Sequence, residues 1–330
     1  MEKYNVTRIQ SDIINFLGDR RINEFNINIL NNETSVLYGF VDSLDLKNKI
    51  EKYISDKGYE LSVSLTVYGE DIPDNFRYAM ITTSTADFRK DDRFRSERVH
   101  QLIFGEWVKV LKLSDSYCKI KDLKSGYIGF IATKSLDFCS LDKMNNIISH
   151  KCSFVNKRFT KITSQNGNKW IPFGSKIYVS DYNSDYSEFL TPSFSFKVSS
   201  DDIQNDNFTI DNNLENIVDL YEGVPYLWGG SSTYGTDCSG FVGRIYDVCG
   251  INIPRDADQQ EFTSTSIQQS ELEKGDLIFF PGHVGIYMGN GLFAHSNTKY
   301  SGVTINNLLE PQDAYEDYLL SSVTKYGRIK

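Results

Sequence analysis

The chain has 330 residues, more than one ordinary domain, so about two to four folded units are expected. A hydrophobic content of 40%, a charged content of 24% and a net charge of −9 describe a soluble globular chain with no basic surface for nucleic acid or an anionic membrane. The 20 Tyr and 21 Phe favour β-rich units.

Five cysteines (Cys118, Cys139, Cys152, Cys238 and Cys249) are irregularly spaced and form no CxxC pair. Neither a structural zinc site nor a disulfide framework is indicated, and no metal or other cofactor is expected. The apolar run from Ile13 to Leu17 is too short for a signal-peptide core, and no stretch reaches membrane-spanning length. The expected compartment is the cytoplasm, with secretion the alternative if a leader has been trimmed away.

In chain order, residues 1–76 read as a small α+β unit. Ile9 to Leu17 can form a helix, FNINIL and TSVLYGFV alternate as strands, and LKNKIEKYISDKG has helical spacing through Leu46, Ile50 and Ile54 before Gly58. LSVSLTVYG alternates as a third strand, and this order resembles BON-type domains. Residues 77–145 carry short strands with turn signals between them, as a small barrel would. The pieces ADFRKDDRFRSE, QLIFGEWVKVL, SYCKIK and YIGFI resemble a bacterial SH3-like domain, with Tyr117 and Phe130 where many relatives carry Trp. Residues 146–205 repeat a weaker version through KWIPFGSKIYVS and FSFKVSS, read as a second SH3-like barrel. The polar, acidic segment DDIQNDNFTIDNN reads as a linker into a unit over residues 206–330.

This last unit carries the chemistry. In TDCSGFVGRIYDVCG, Phe241, Val242, Ile245, Val248 and Cys249 make one apolar helical face, and Gly250 sits at the C-terminal cap. Thr236 or Asp237 can cap the start, which puts Cys238 in the first turn. A buried cysteine is most often inert packing, and that reading suits Cys249. For Cys238 the positive end of the helix is expected to lower the thiol pKa and stabilise a thiolate.

A thiolate nucleophile needs a base, and two of the four histidines, His283 and His295, lie on consecutive strands in LIFFPGHVGIYMGNGLFAHS. A three-residue loop of Gly289, Asn290 and Gly291 would pair Met288 with Leu292 and set Gly285 opposite His295. The two histidines are then diagonal neighbours on one face, roughly 7–8 Å apart at the backbone, with Gly285 leaving the space between them open. A two-residue Asn-Gly loop would shift the pairing by one and separate the rings. A Cys-His-His triad selects the odd loop: Cys238 as nucleophile, His283 as base, His295 as the group that orients it.

PYLWGG, TDCSGFV, IPRDADQQ, KGDLIFF, HVGIYMGNG and AHS occur in the order and spacing of the NlpC/P60 cysteine peptidases, which the chain resembles from residue 213 to about 329. The resemblance implies a papain-like α+β core, a cell-wall stem peptide as substrate and the triad just named. It implies an oxyanion site at the backbone N–H of Cys238 with Tyr226, and a substrate-binding set that includes Asp237. SH3-like units ahead of such a domain resemble the muropeptide-recycling γ-D-glutamyl-L-diamino acid endopeptidases, which act on stems with a free N-terminal L-Ala. By that resemblance Glu97 and Asp256 hold the substrate ammonium, Tyr127 forms a wall, and Arg255 and Ser239 match positions on the α-carboxylate side of D-Glu. The alternatives are a wall-cleaving hydrolase or amidase on the same fold, and a non-enzymatic wall-binding protein that uses its SH3-like units.

Overall fold

The computed structural model describes residues 6–31, 35–165, 167–204 and 208–329, so part of the expected linker, 205–207, lies outside the described residues. The N-terminal unit runs α1 (Val6–Leu17), β1 (Phe25–Asn31), β2 (Ser35–Val41), α2 (Leu44–Asp56), β3 (Ser62–Val67). β1 and β2 pair antiparallel, and β2 and β3 pair parallel across α2. Ile9, Ile13 and Leu17 of α1 recur every four residues and meet Leu46, Ile50 and Ile54 of α2 over the sheet. Ser43 caps α2 by accepting from the N–H of Leu46.

Two antiparallel sheets of seven strands follow. The first contains β4 (Tyr78–Ile81), β5 (Thr85–Arg89), β6 (Arg98–Ile103), β7 (Trp107–Lys112), β8 (Tyr117–Asp122), β9 (Ile128–Ala132) and β10 (Leu136–Cys139). Its pairing order is β10-β4-β7-β8-β9-β5-β6. α3 (Leu141–Ile148) leads to the second sheet: β11 (Lys151–Val155), β12 (Phe159–Ser164), β13 (Gly167–Pro172), β14 (Lys176–Tyr182), β15 (Tyr186–Leu190), β16 (Ser195–Ser199) and β17 (Ile203–Gln204). Each sheet has its own apolar core, and no strand pair closes either sheet into a ring among the described residues.

The C-terminal unit begins with α4 (Ile210–Leu220), a two-residue pair β18 (Ser231–Ser232) and β19 (Gly235–Thr236), α5 (Cys238–Val248) and α6 (Ala257–Thr263). Six antiparallel strands complete it, in the order β20 (Thr265–Ile267), β25 (Lys325–Arg328), β21 (Leu277–Phe280), β22 (His283–Gly289), β23 (Leu292–Asn297), β24 (Gly302–Asn307), with α7 (Ala314–Ser322) before the last strand in sequence. α5 lies on β22 and β23, and Phe241, Val242 and Ile245 meet Val284, Ile286 and Ala294 in one core.

The β22–β23 hairpin differs from the expected three-residue loop. Gly289 pairs with Leu292 around the two-residue turn Asn290-Gly291, whose φ values of 53° and 81° suit that sequence. A register shift between Tyr287 and Gly289 then bulges Met288 and restores the parity, giving Ile286 opposite Ala294. The bulge thus does the work assigned to the extra loop residue. Gly285 does not leave open space either. A Cβ there would come within 2.6 Å of the Phe293 ring, so the glycine makes room for Phe293, which packs on His295 at 4.7 Å between centroids.

Helix α5 is fastened to both seven-stranded sheets by charge. Arg244 of α5, 3% exposed, donates to Glu106 and Asp247 at 2.8 Å each. Asp247 also pairs with Lys124 at 2.8 Å and Lys176 at 3.4 Å. Burial would raise the Asp247 carboxyl, but Lys124, Lys176 and Arg244 outweigh it and hold it far below the carboxylate range. Arg244→Ala leaves buried carboxylates short of their cation and should cost about 3–5 kcal/mol, read as a lowered urea midpoint at constant m-value.

Candidate active site

Asp237 is the N-cap of α5. Its Oδ1 accepts from the N–H of Gly240 at 2.7 Å and its Oδ2 from the N–H of Gly229 at 2.9 Å. Cys238 therefore opens the helix, as expected, and is 8% exposed. Its sulfur faces the N–H groups of Ser239 and of Val284, the residue after His283.

The thiol pKa moves the opposite way from the helix-start expectation. Burial pushes it up to about 11, with Asp237 adding to the rise and the two N–H groups and Arg255 opposing it. His283 is lowered to about 4 by burial. Thiol and imidazole are each displaced toward the neutral form, because desolvation of a nearly enclosed sulfur exceeds what one helix end supplies.

The histidine tautomers follow from the partners behind them. Glu316 of α7, buried, accepts at Oε1 from Asn306 Nδ2 at 2.8 Å and from the N–H of Asn307 at 2.9 Å. With its amide nitrogen committed to Glu316, Asn306 turns Oδ1 to His295 Nε2 at 2.9 Å, so Nε2 carries the proton. Asn297 Nδ2, at 3.2 Å from the same nitrogen, donates instead to Thr304. His295 Nδ1 is then an acceptor, and His283 Nε2, 2.7 Å away, donates to it. His283 is left with a lone pair on Nδ1, the form a base needs. Burial lowers His295 to about 3, and His283 beside it lowers it further against the opposing bond from Asn306. Asn306 and Glu316 are absent from the sequence-derived site, since a polar Asn-Asn at a strand end carries no local signal of what it faces.

In front of Cys238 lies a cavity of about 330 Å³ that draws on three units. Tyr226, Trp228, Asp237, Ser239, Asp256 and Asp258 come from the C-terminal unit, Glu97 and Tyr127 from the first seven-stranded sheet, and Arg21 from the N-terminal unit. Glu97 accepts from the indole of Trp228 at 3.1 Å. Asp256 Oδ2 accepts from Tyr127 at 3.1 Å and from Arg21 at 2.8 Å. Burial raises the Tyr226 phenol to about 12.

Three sequence-derived residues do not line the cavity: His283, His295 and Arg255. For Arg255 the reason is its partners. It is 5% exposed, and its guanidinium is spent on His100 Nδ1 at 2.7 Å, Asp237, Ser239 Oγ at 2.8 Å and the carbonyl of Gly230. It braces the helix start from behind and has no donor left for a substrate carboxylate. A second cavity, about 420 Å³, lies at the other end of α5 between Cys152 and Cys249, away from the histidines.

Residues 223–322 match the model of the NlpC/P60 family. The C-terminal domain belongs to the NlpC/P60 family of cysteine peptidases. A dipeptidyl-peptidase 6 of Lysinibacillus sphaericus is 39% identical over 119 residues, covering 35% of this chain and 44% of that protein. A γ-D-glutamyl-L-lysine dipeptidyl-peptidase of Bacillus cereus is 40% identical over 106 residues, covering 30% of this chain and 32% of that one. The chain thus spans less than half the length of these curated relatives. The crystal structure of an NlpC/P60 family protein from Bacillus cereus superposes with a TM-score of 0.66 at 21% identity, covering 76% of this chain and 99% of that one, a likeness of fold.

The tautomer chain and the lowered His283 pKa have measurable consequences. Asn306→Ala should lower kcat by about 10- to 100-fold with little change in KM, because the base loses its enforced orientation. The acid limb of kcat/KM should fall closer to pH 4 than to the ordinary 6.5, as His283 is lowered to about 4. Stability runs alongside: both rings are neutral when folded, so the unfolded chain binds more protons below about 6.5. That stability is complete above the unfolded pKa and is lost as pH falls toward 4 and 3. Circular dichroism at each pH separates the two effects.

Proposed function

We propose that the protein is a cysteine endopeptidase that hydrolyses the γ-D-glutamyl to diamino-acid bond of cell-wall stem peptides bearing a free N-terminal L-Ala. One observation carries the reading: the nucleophile Cys238 and the carboxylates Glu97, Asp256 and Asp258 line one cavity. A substrate ammonium entering that end recovers its lost hydration through charge-assisted bonds, and an N-acylated stem has no charge to offer. The relatives named as γ-D-glutamyl-L-lysine dipeptidyl-peptidase and dipeptidyl-peptidase 6 support the bond class. Such stems are soluble fragments, which suits recycling in the cytoplasm. The two seven-stranded sheets are read as SH3-like units, the first of them walling the cleft through Glu97 and Tyr127.

In this reading His283 Nδ1 takes the Sγ proton as sulfur attacks the γ-carbonyl carbon. The oxyanion is received at the N–H of Cys238, in the first turn of α5, with Tyr226 beside it. The C–N bond breaks as His283 returns the proton to the leaving amine, and water then hydrolyses the thioester through the same base. His295 holds the imidazole, and Ser239 lines the cavity on the D-Glu side.

The test is mass spectrometry of L-Ala-γ-D-Glu-L-Lys and its diaminopimelate counterpart after incubation with the protein. The expected products are L-Ala-γ-D-Glu and the free diamino acid, with Cys238→Ala inactive and still folded. Cleavage elsewhere in the stem, or full activity in Cys238→Ala, would overturn the reading.

A further inference from the structure

The acid end of the cavity already holds a cation. Arg21 follows α1 in the turn before β1 and reaches 235 positions along the chain to Asp256. Its Nη1 donates to Asp256 Oδ2 at 2.8 Å and Asp258 Oδ1 at 2.9 Å, and its Nη2 donates to Asp258 Oδ2 at 2.8 Å and Asp19 Oδ2 at 2.7 Å. Nε donates to Asp19 at 3.0 Å. A guanidinium has five N–H donors, and these bonds engage all of them. Arg21 therefore has nothing left for a substrate carboxylate, and its action falls on the acids.

The arginine is held from its own side as well. Its backbone carbonyl accepts from the N–H of Ile128 at 2.7 Å, next to the cleft residue Tyr127, and Lys121 Nζ donates to the carbonyl of Ile22 at 2.9 Å. Gln259 of α6 donates to Asp19 at 2.7 Å, which ties the anchor of Arg21 to the helix that Asp256 caps. The N-terminal unit is thus seated so that one guanidinium stands beside Asp256 and Tyr127.

We propose that Arg21 is a specificity-determining residue: it occupies the cation seat at Asp256, so a substrate ammonium must compete with the protein's own guanidinium. The consequence rests on the free-amine reading above. Glu97, paired only with the Trp228 indole among the hydrogen bonds described, keeps attracting an ammonium, while Asp256 answers to Arg21 first. The N-terminal unit thereby narrows the preference for free-amine stems over N-acylated ones.

The experiment measures kcat/KM at neutral pH for L-Ala-γ-D-Glu-L-Lys and its N-acetyl form with the full-length wild type, Arg21→Gln and Asp19→Asn. Arg21→Gln should raise the ratio of free to acetylated activity about ten-fold, the scale of one charge-assisted contact. The change should sit mainly in KM for the free amine and be smaller for the acetylated stem. Asp19→Asn, which loosens Arg21 without touching Asp256, should move the ratio the same way by less, and it serves if Arg21→Gln melts early. A ratio unchanged or lowered in both folded variants overturns the role of Arg21. A wild type with no preference, and none gained in either variant, overturns the free-amine reading itself.

Discussion

The carboxylate of Asp237 is the point on which the site depends. It caps α5, receives the N–H of Gly229 from the preceding loop and pairs with Arg255 at 2.7 Å. Arg255 in turn bonds His100 on β6 of the first seven-stranded sheet. Burial pushes His100 well below the ordinary imidazole range, and Arg255 beside it adds to the drop. His100 is thus a neutral acceptor at Nδ1, as a donor from Arg255 requires. One buried ion pair fixes the residue that precedes Cys238 and the strand that follows Glu97. A charge at this depth is tolerable because the guanidinium N–H groups of Arg255 and both carboxylate oxygens of Asp237 all have partners.

The same burial that secures this arrangement sets the chemistry of the sulfur. A helix start favours a thiolate, and the N–H groups of Ser239 and Val284 do the same, yet Asp237 stands next to Cys238 and the sulfur is nearly closed off from water. Desolvation wins, and the thiol is held in its protonated form. In the proposed function proton transfer then belongs to the attack step, and the tautomer of His283 matters as much as its position. The chain from Glu316 through Asn306 and His295 settles that tautomer with neutral groups in contact with the imidazole and one carboxylate two residues removed. A carboxylate directly on His295 would raise its pKa and invite protonation. An amide orients the ring without doing so.

How much of this was legible in the sequence depends on the range over which each feature is determined. The helix start at Cys238, the spacing of Leu46, Ile50 and Ile54, and the strand run through His283 and His295 are set within about two turns or one hairpin, and the structure has them. The parity that puts both histidines on one side was right, but its origin was not. A bulge at Met288 is a backbone event that Gly-Asn-Gly does not encode uniquely. Arg255 was expected to face substrate because its motif is local, whereas the direction of its side chain is set by His100, 155 positions away. Arg21 lies in an ordinary polar turn, and nothing within ten residues distinguishes it from Arg20 beside it. Periodicity cannot see a partner 235 positions distant. The thiol pKa failed for a related reason: the helix field is local, and burial is a property of the whole fold.

The distribution of the cavity walls over three units has a physical consequence of its own. A pocket built inside one domain keeps its shape as long as that domain is folded. Here the acid end is assembled from Glu97, Asp256 and Arg21, which belong to three separate cores. Its electrostatics therefore depend on docking, and docking rests on a few charged contacts: Lys121 with Asp42 at 3.1 Å, Lys119 with Glu24 at 2.6 Å, and Arg21 itself. Cys238, His283, His295, Asn306 and Glu316 all belong to the C-terminal unit, although the helix that opens with Cys238 is itself braced by Glu106 and, through Arg255, by His100 of the first seven-stranded sheet. In the proposed function the hydrogen-bonded relay behind the imidazole lies within one unit, while the acid end of the cleft is shaped by how the other two units are seated against it.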